Sequence, residues 1–166
     1  MVDSPNLVKE SKTLVVLGCS KIKANYETSA QYMYKGALFK LGWKYAELIG
    51  ADVIIISAKY GLLAPEDIIA PYNQRMTKTR AKEIFAEKEN VIRELVESDK
   101  YSRIYFICGD DYNEVFEPVW DQRFMTLSDV VGEEHVVGIG VLLKGLKELI
   151  HEQEQKRGIQ SWRKNV

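Results

Sequence analysis

Three short runs of β-branched and other apolar residues most constrain how this chain of 166 residues can fold. They read TLVVLG from Thr13, DVIIIS from Asp52 and SRIYFIC from Ser102. Continuous apolar runs of this length are typical of strands that are buried on both faces, as in a parallel sheet. Small or polar residues follow each run directly, so each strand is predicted to end in a polar turn.

The segments between these strands predict helices. Apolar residues recur at three- and four-residue steps over residues 30–49, 77–98 and 138–155, and a shorter helix is predicted over residues 113–119. Thr77 is expected to cap the helix over residues 77–98, and Val141 is expected to face inward on the last helix. Residues 123–127 are a candidate for another strand. The alternation predicts an α/β fold, a single three-layer α/β/α Rossmann-like sandwich with a mostly parallel central sheet and right-handed crossovers.

The ends of the chain are polar, and its composition is that of a soluble globular protein. Residues 1–12 are predicted to form a loose arm, and residues 156–166 a fraying tail. With 46% hydrophobic and 28% charged residues, we expect one domain spanning residues 1–166. The net charge of −1 gives no global electrostatic case for nucleic-acid binding, although a local basic patch is compatible with it.

The cysteines, histidines and motifs exclude several classes of protein. Cys19 and Cys108 have neither the pattern of a disulfide framework nor metal-ligand spacing, and the sequence shows no signal peptide or membrane-spanning run. We therefore expect a cytoplasmic protein without contact to a membrane. His135 and His151 lie far in sequence from the polar strand ends, so no metal and no cofactor are predicted. The absence of Walker A and GxGxxG patterns argues against nucleoside triphosphatases and nicotinamide enzymes.

The carboxyl ends of parallel strands meet at one edge of a sheet, where ligands bind. The residues expected there are Cys19, Ser20, Lys21 and Lys23 after the first strand, Ser57, Lys59, Tyr60 and Gly61 after the second, and Gly109, Asp110, Asp111 and Tyr112 after the third. A long loop after the second strand adds Pro65, Tyr72 and Asn73, and its length favours a functional segment or lid.

These residue types have chemical uses and also structural explanations. The lysines favour an anionic ligand such as a phosphate, with hydroxyl and backbone N–H donors beside them, but they are also ordinary solvated side chains. The two aspartates suit acid–base or nucleophilic catalysis, or they cap the next helix. The tyrosines could stack on a base or cover the sheet edge. Cys19 fits a buried structural thiol better than a nucleophile.

The three strand-end strings together resemble one family. CSKIKA, SAKYGLLAPEDIIAPYN and CGDDYNEVFEPV, found between Thr13 and Ile150, resemble a family of small uncharacterised bacterial, archaeal and phage domains. The pattern is also distantly similar to the archaeosine synthase core domain and, in outline, to the YaaA peroxide-resistance proteins. The chain has Lys23 and Ala24 where the synthase motif has Lys-Pro-Tyr, and Asn73 stands where family members often have aspartate.

This resemblance implies chemistry on a nucleobase, nucleoside or nucleic acid. By motif position, Cys19, Ser20 and Lys21 match the first element of the synthase pattern, whereas the residues that match its second element are Ser57, Tyr60, Gly61 and Pro65. The relatives imply base modification, or cleavage or transfer of an N-glycosidic bond.

We therefore predict an enzyme acting on a nucleotide, nucleoside or modified nucleobase. Lys21 and Lys59 would hold a phosphate or polarise a base carbonyl, and Asp110 or Asp111 would be the acid–base group or the nucleophile. The alternative is a non-catalytic nucleotide- or nucleic-acid-binding stress or accessory protein. A homodimer is compatible with either hypothesis.

Overall fold

The structure is a computed structural model that describes the backbone of residues 12–164 and the side chains of residues 12–159. Its strands are β1 (Lys12–Gly18), β2 (Thr28–Ser29), β3 (Asp52–Ser57), β4 (Gly61–Leu63), β5 (Ile68–Ile69), β6 (Tyr101–Ile107) and β7 (Phe124–Met125). Its α-helices are α1 (Ala30–Met33), α2 (Ala37–Ile49), α3 (Lys78–Glu97), α4 (Asp110–Asn113), α5 (Leu127–Val131) and α6 (Ile139–Lys164), with a 3-10 turn at Glu117–Val119.

The central sheet has five strands in the order β4-β3-β1-β6-β7. All neighbours pair in parallel except β4, which runs antiparallel to β3. Helices cover both faces, so the predicted α/β class and Rossmann-like layering are confirmed. A separate two-stranded sheet joins β2 to β5.

The two faces of the sheet are covered by different helices. Val15 and Leu17 of β1 pack in one cluster with side chains of α2 and α6, such as Leu146. Leu14 and Val16 pack in the other cluster with side chains of α3 and with Phe116, which follows α4. The chain thus leaves β1 towards one face and β6 towards the opposite face. A ligand crevice is expected between the carboxyl ends of two strands that diverge in this way.

The first predicted helix, over residues 30–49, is broken into two, so that prediction is wrong in its middle. Tyr34 leaves α1 in an extended conformation and forms a β-bridge with Lys23. Gly36, also extended, is the N-cap of α2, and a Cβ at this position would lie only 2.7 Å from the Cβ of Ser20. The close approach of Gly36 brings the start of α2 against the residues that follow β1.

The predicted long loop after β3 is also wrong, because part of it is folded. β3 turns sharply into the antiparallel strand β4 through Gly61, whose φ of +80° favours glycine. β5 pairs with β2, and the backbone N–H groups of Ala30 and Gln31 donate to the carbonyl oxygens of Asp67 and Pro65. This stretch is therefore held by backbone pairing.

The remaining boundaries differ less from the prediction. Thr77 caps α3 as expected, with its side chain accepting from the backbone N–H of Arg80. The short helix begins at Asp110, earlier than predicted, because Gly109 is its N-cap. The predicted strand over residues 123–127 contains β7.

The predictions for the chain ends have different outcomes. The helix α6 extends to Lys164, past the predicted helix end at residue 155, since the stretch EQEQK is made of good helix formers. Val141 was expected to face inward but is 46% exposed. Lys12 belongs to β1, and the rest of the predicted N-terminal arm lies outside the described residues.

In residues 12–164 we find no helix with the length and apolar character needed to cross a membrane.

Candidate functional site

Two adjoining cavities open at the carboxyl ends of β1 and β6. The larger, which we call the main cavity, has a volume of about 470 Å³ and is lined by Cys19, Ser20, Lys21, Lys23, Asn73, Gln74, Arg75, Met76 and Tyr112. The smaller, the acidic cavity, has a volume of about 300 Å³ and is lined by Arg75, Met76, Gly109, Asp110, Asp111 and Tyr112. Arg75, Met76 and Tyr112 line both, so the two cavities are one continuous crevice.

Three cationic side chains line the main cavity. Lys21 and Lys23 follow β1, and Arg75 lies in the segment before α3. None of them forms an ion pair with a carboxylate among the residues whose side chains the structure describes. The Nζ atom of Lys23 lies 4.6 Å from the ring centroid of Tyr72, a cation–π distance that keeps this lysine beside the cavity. The main cavity therefore carries positive charge that the neighbouring protein does not neutralise.

Two carboxylates line the acidic cavity. Asp110 and Asp111 form the first turn of α4, directly after Gly109. The prediction left open whether they cap this helix; Gly109 is the N-cap, and the helix start has no side-chain cap hydrogen bond. Asp110 is exposed and Asp111 is half-buried. Both carboxylates are therefore accessible to a ligand in the acidic cavity.

Tyr112 connects the ends of β1 and β6. Its hydroxyl donates to the carbonyl oxygen of Cys19 at 2.9 Å and lies 2.9 Å from the Cys19 Sγ atom. Burial, and then the nearby Cys19, raise the pKa of the Tyr112 hydroxyl above its ordinary value, so it stays protonated and keeps this hydrogen bond. Tyr112 thus forms a fixed wall common to both cavities. Cys19 is half-buried with its thiol beside the Tyr112 hydroxyl.

Ser20 is held by the backbone around it. Its hydroxyl donates to the carbonyl oxygen of Ile22 at 2.8 Å and accepts from the Gly36 N–H at 3.1 Å. A small cavity of about 160 Å³ lies beside it, between the start of α2 and Gly109. Ser20 therefore fixes the turn that carries Lys21 and Lys23.

The end of β3 is organised differently, around a set of hydrogen-bonded residues that we call the tyrosine network: Ser57, Tyr34, Tyr60 and Tyr72. Ser57 is fully buried; it donates to the Tyr72 hydroxyl at 2.8 Å and accepts from the Tyr60 N–H at 3.0 Å. The Tyr72 and Tyr34 hydroxyls are 2.8 Å apart, and burial raises the pKa of Tyr34 to about 12. The Tyr60 hydroxyl donates to the Ala70 carbonyl oxygen at 3.3 Å.

Several residues predicted for the site lie away from the two cavities. Lys59 is exposed, with its Nζ 5.2 Å from the ring centroid of Tyr60, and its carbonyl oxygen accepts from Arg80. Gly61 is buried in the turn to β4, and Pro65 accepts a hydrogen bond from the Gln31 N–H. The structure thus brings the ends of β1 and β6 together with Asn73, whereas the residues directly after β3 are placed outside the crevice.

Three lining residues were not predicted: Gln74, Arg75 and Met76. The sequence gives only a weak signal for them, because the tripeptide QRM looks like an ordinary connection before the Thr77 cap of α3. Arg75 is the only charged residue of the three, and its side chain lines both the main cavity and the acidic cavity.

Comparison with curated proteins found no match, and comparison with solved structures found none either. One protein-family model matches, and it covers residues 14–148, a stretch that runs from β1 into α6. It therefore includes every residue that lines the main and acidic cavities. This match extends over most of the chain, and it shows that the protein belongs to DUF6884, a family of unknown function.

Proposed function

We propose that this protein is an enzyme acting on a nucleotide, nucleoside or modified nucleobase, by base modification or by cleavage or transfer of an N-glycosidic bond. The observation that carries the proposal is the pairing of two chemically different cavities in one crevice. Cations line one and two carboxylates line the other, with Arg75 and Tyr112 between them. A ligand with an anionic group at one end and a reactive bond at the other fits this division.

The main cavity is suited to the anionic end of such a ligand. Lys21 and Lys23 supply point charges, and the guanidinium of Arg75 can form two parallel hydrogen bonds to a phosphate. The volume of about 470 Å³ is within the range of small-molecule sites, which is roughly 300–1,000 Å³. In the proposed complex, the phosphate of a nucleotide, or the polar edge of a base, lies among these three side chains.

The acidic cavity is suited to the reacting bond. In cleavage of an N-glycosidic bond, one carboxylate stabilises or attacks the anomeric carbon while the bond to the base nitrogen breaks. The base leaves with the bonding electrons and takes a proton from a general acid, and water then adds its oxygen to the anomeric carbon and returns a proton. Asp110 and Asp111 are the two carboxylates available for these roles.

The resemblance described above supports the same class of substrate. The strings CSKIKA and CGDDYN, which belong to the resembling pattern, contain eight of the residues that line the crevice. The match to a family of unknown function adds no activity of its own. Arg75 takes the anion-binding role predicted for Lys59, because Lys59 lies outside both cavities. Tyr60 and Tyr72 line neither cavity and make no contact with the ligand in the proposed complex.

A thermal-shift screen of the purified protein tests the proposal. The panel contains nucleotides, nucleosides, 7-deazaguanines and phosphosugars, and a ligand at about a hundred times its dissociation constant stabilises the fold by about 2.7 kcal/mol. We expect a hit whose stabilisation falls to about half or less in Arg75→Ala and is kept in the control Lys59→Ala. Absence of any hit would contradict the proposal for free small molecules. A hit that no incubation converts to product would favour the non-catalytic alternative.

A further inference from the structure

We propose a second anion-binding site, for an organic phosphate, at the end of the sheet opposite to the crevice. A cavity of about 550 Å³ opens there, which we call the basal cavity. It is lined by Thr13, Tyr45, Leu48, Ile49, Gly50, Arg103, Tyr105, Gln153, Lys156 and Arg157. Thr13 and Arg103 are register partners near the amino ends of β1 and β6, whereas the crevice lies beyond the carboxyl ends of the same strands.

The first argument is the charge of the basal cavity. Arg103 comes from β6, and Lys156 and Arg157 come from α6, whereas no carboxylate is among the lining residues. None of the three cations forms an ion pair with a carboxylate of the residues that the structure describes. Three cationic side chains thus meet in one concave site without a neutralising partner.

Negative groups nearby reduce this charge but do not cancel it. The carboxyl end of α2 points at the cavity through Ile49 and Gly50, and a helix end of this kind carries roughly half a negative charge. Glu152 is close enough to raise the pKa of Tyr45, although burial is the larger cause. Together these amount to about one and a half negative charges against three positive ones. The cavity remains favourable for an anion.

Interactions within the protein account for only part of the cationic cluster. An Nη2 group of Arg157 donates to the carbonyl oxygen of Glu47 at 3.1 Å, which satisfies the end of α2. Arg103 donates to the Tyr105 hydroxyl at 3.4 Å, the long end of the hydrogen-bond range. Each guanidinium has five N–H donors, so most of them have no protein acceptor among the described residues. Capping of α2 explains Arg157 but gives no reason for Arg103 or Lys156.

The neutral groups of the basal cavity favour an organic phosphate over a simple halide. Tyr45, Tyr105, Thr13 and Gln153 supply hydroxyl and amide donors. Burial keeps the pKa of Tyr45 above its ordinary value, so its hydroxyl remains a donor at neutral pH. Apolar contact is available from Leu48 and Ile49. Cations, neutral donors and a small apolar surface together are the usual composition of a site for a phosphorylated small molecule.

Titration with inorganic pyrophosphate, followed by backbone amide NMR of the full chain, tests this site separately from the crevice. We expect saturable shifts at Thr13, Gly50, Arg103 and Gln153. Any shifts at Lys21, Asn73 and Arg75 report the crevice instead. A response at the crevice alone, or no saturable shift at the basal residues, would overturn the proposal. Because each site has its own reporters, failure at one does not imply failure at the other.

Two single variants show whether the cations cause the binding. Arg103→Gln and Lys156→Gln remove one charge each from exposed side chains, and each is expected to weaken basal pyrophosphate binding about tenfold or more. Arg93→Gln, at an exposed arginine of α3 that pairs with Glu89, is the matched control and should leave the affinity unchanged. Arg75→Ala should also leave the basal site unchanged. Unchanged basal affinity in both Gln variants, or equal loss in the control, would overturn the proposal.

Discussion

The end of β3 and the paired ends of β1 and β6 carry similar polar residues but use them differently. At the end of β3, the hydroxyls of Ser57, Tyr34 and Tyr72 are hydrogen-bonded to one another in the protein interior. At the ends of β1 and β6, Lys21 and Asp111 instead line cavities. Polar groups that satisfy one another stabilise the fold, whereas polar groups that face a cavity are available to a ligand. Four predictions test this contrast.

The largest effect is expected at the carboxylates of the acidic cavity. Asp110→Asn and Asp111→Asn each remove a negative charge and the capacity for proton transfer, so at least one should lower kcat by about 10²- to 10⁴-fold on a substrate found in the screen. Stability should change little, since neither carboxylate caps α4. Steady-state kinetics measures the loss, with Glu117→Gln, an exposed carboxylate on the 3-10 turn, as control. Full activity in both Asn variants would remove the aspartates from the site.

The second effect is on stability, at the tyrosine network. Ser57→Ala leaves the Tyr60 N–H without its acceptor and the Tyr72 hydroxyl without one donor. An unsatisfied buried polar group costs about 1–3 kcal/mol, so we expect the free energy of unfolding in urea to fall by about that amount. Ser102→Ala, at an exposed serine of β6, should change it by less than about 0.5 kcal/mol. A Ser57 variant as stable as the control would show that the network does not stabilise the fold.

The third effect is on binding alone. Arg75→Ala removes a cation that lines both cavities and should weaken an anionic ligand about tenfold or more. The free energy of unfolding should stay within about 0.5 kcal/mol, because Arg75 is exposed and has no ion pair among the described residues. Isothermal titration calorimetry and urea unfolding together give both quantities. A large loss of stability would place Arg75 among the structural residues.

The smallest effect is expected at Lys59. Lys59→Ala removes an exposed side chain that lines neither cavity, so affinity and kcat should change by less than a factor of two or so, about 0.5 kcal/mol or less. The same assays as for Arg75→Ala measure it. A loss comparable to that of Arg75→Ala would extend the site to the end of β3, as predicted from the sequence.

The position of Lys59 outside the crevice shows which part of the structure could be predicted from the sequence and which could not. The apolar runs and helical periodicity predicted the α/β class, the span of β3 and the Thr77 cap. They also placed Lys21 and Asp111 at strand ends, because period and polarity are local properties of the sequence. They could not show that β3 turns back into β4, which moves Lys59 out of the crevice.

The break between α1 and α2 and the position of Arg75 were missed for a related reason. Tyr34 fits a helical pattern, yet it pairs with Lys23, eleven residues earlier. Arg75 lines the crevice although it lies between β5 and α3, distant in sequence from the ends of β1 and β6. Both features depend on contacts between segments that are distant in sequence or separated by a turn. Periodicity does not report such contacts.

A crystal structure of the protein with the strongest ligand of the screen tests the central claim most directly. We predict the anionic group within hydrogen-bond distance of Lys21, Lys23 or Arg75, and the reactive bond beside Asp110 or Asp111. The tyrosine network should keep its hydrogen bonds unchanged. A ligand bound against Lys59, Tyr60 and Tyr72, with the crevice empty, would contradict the account.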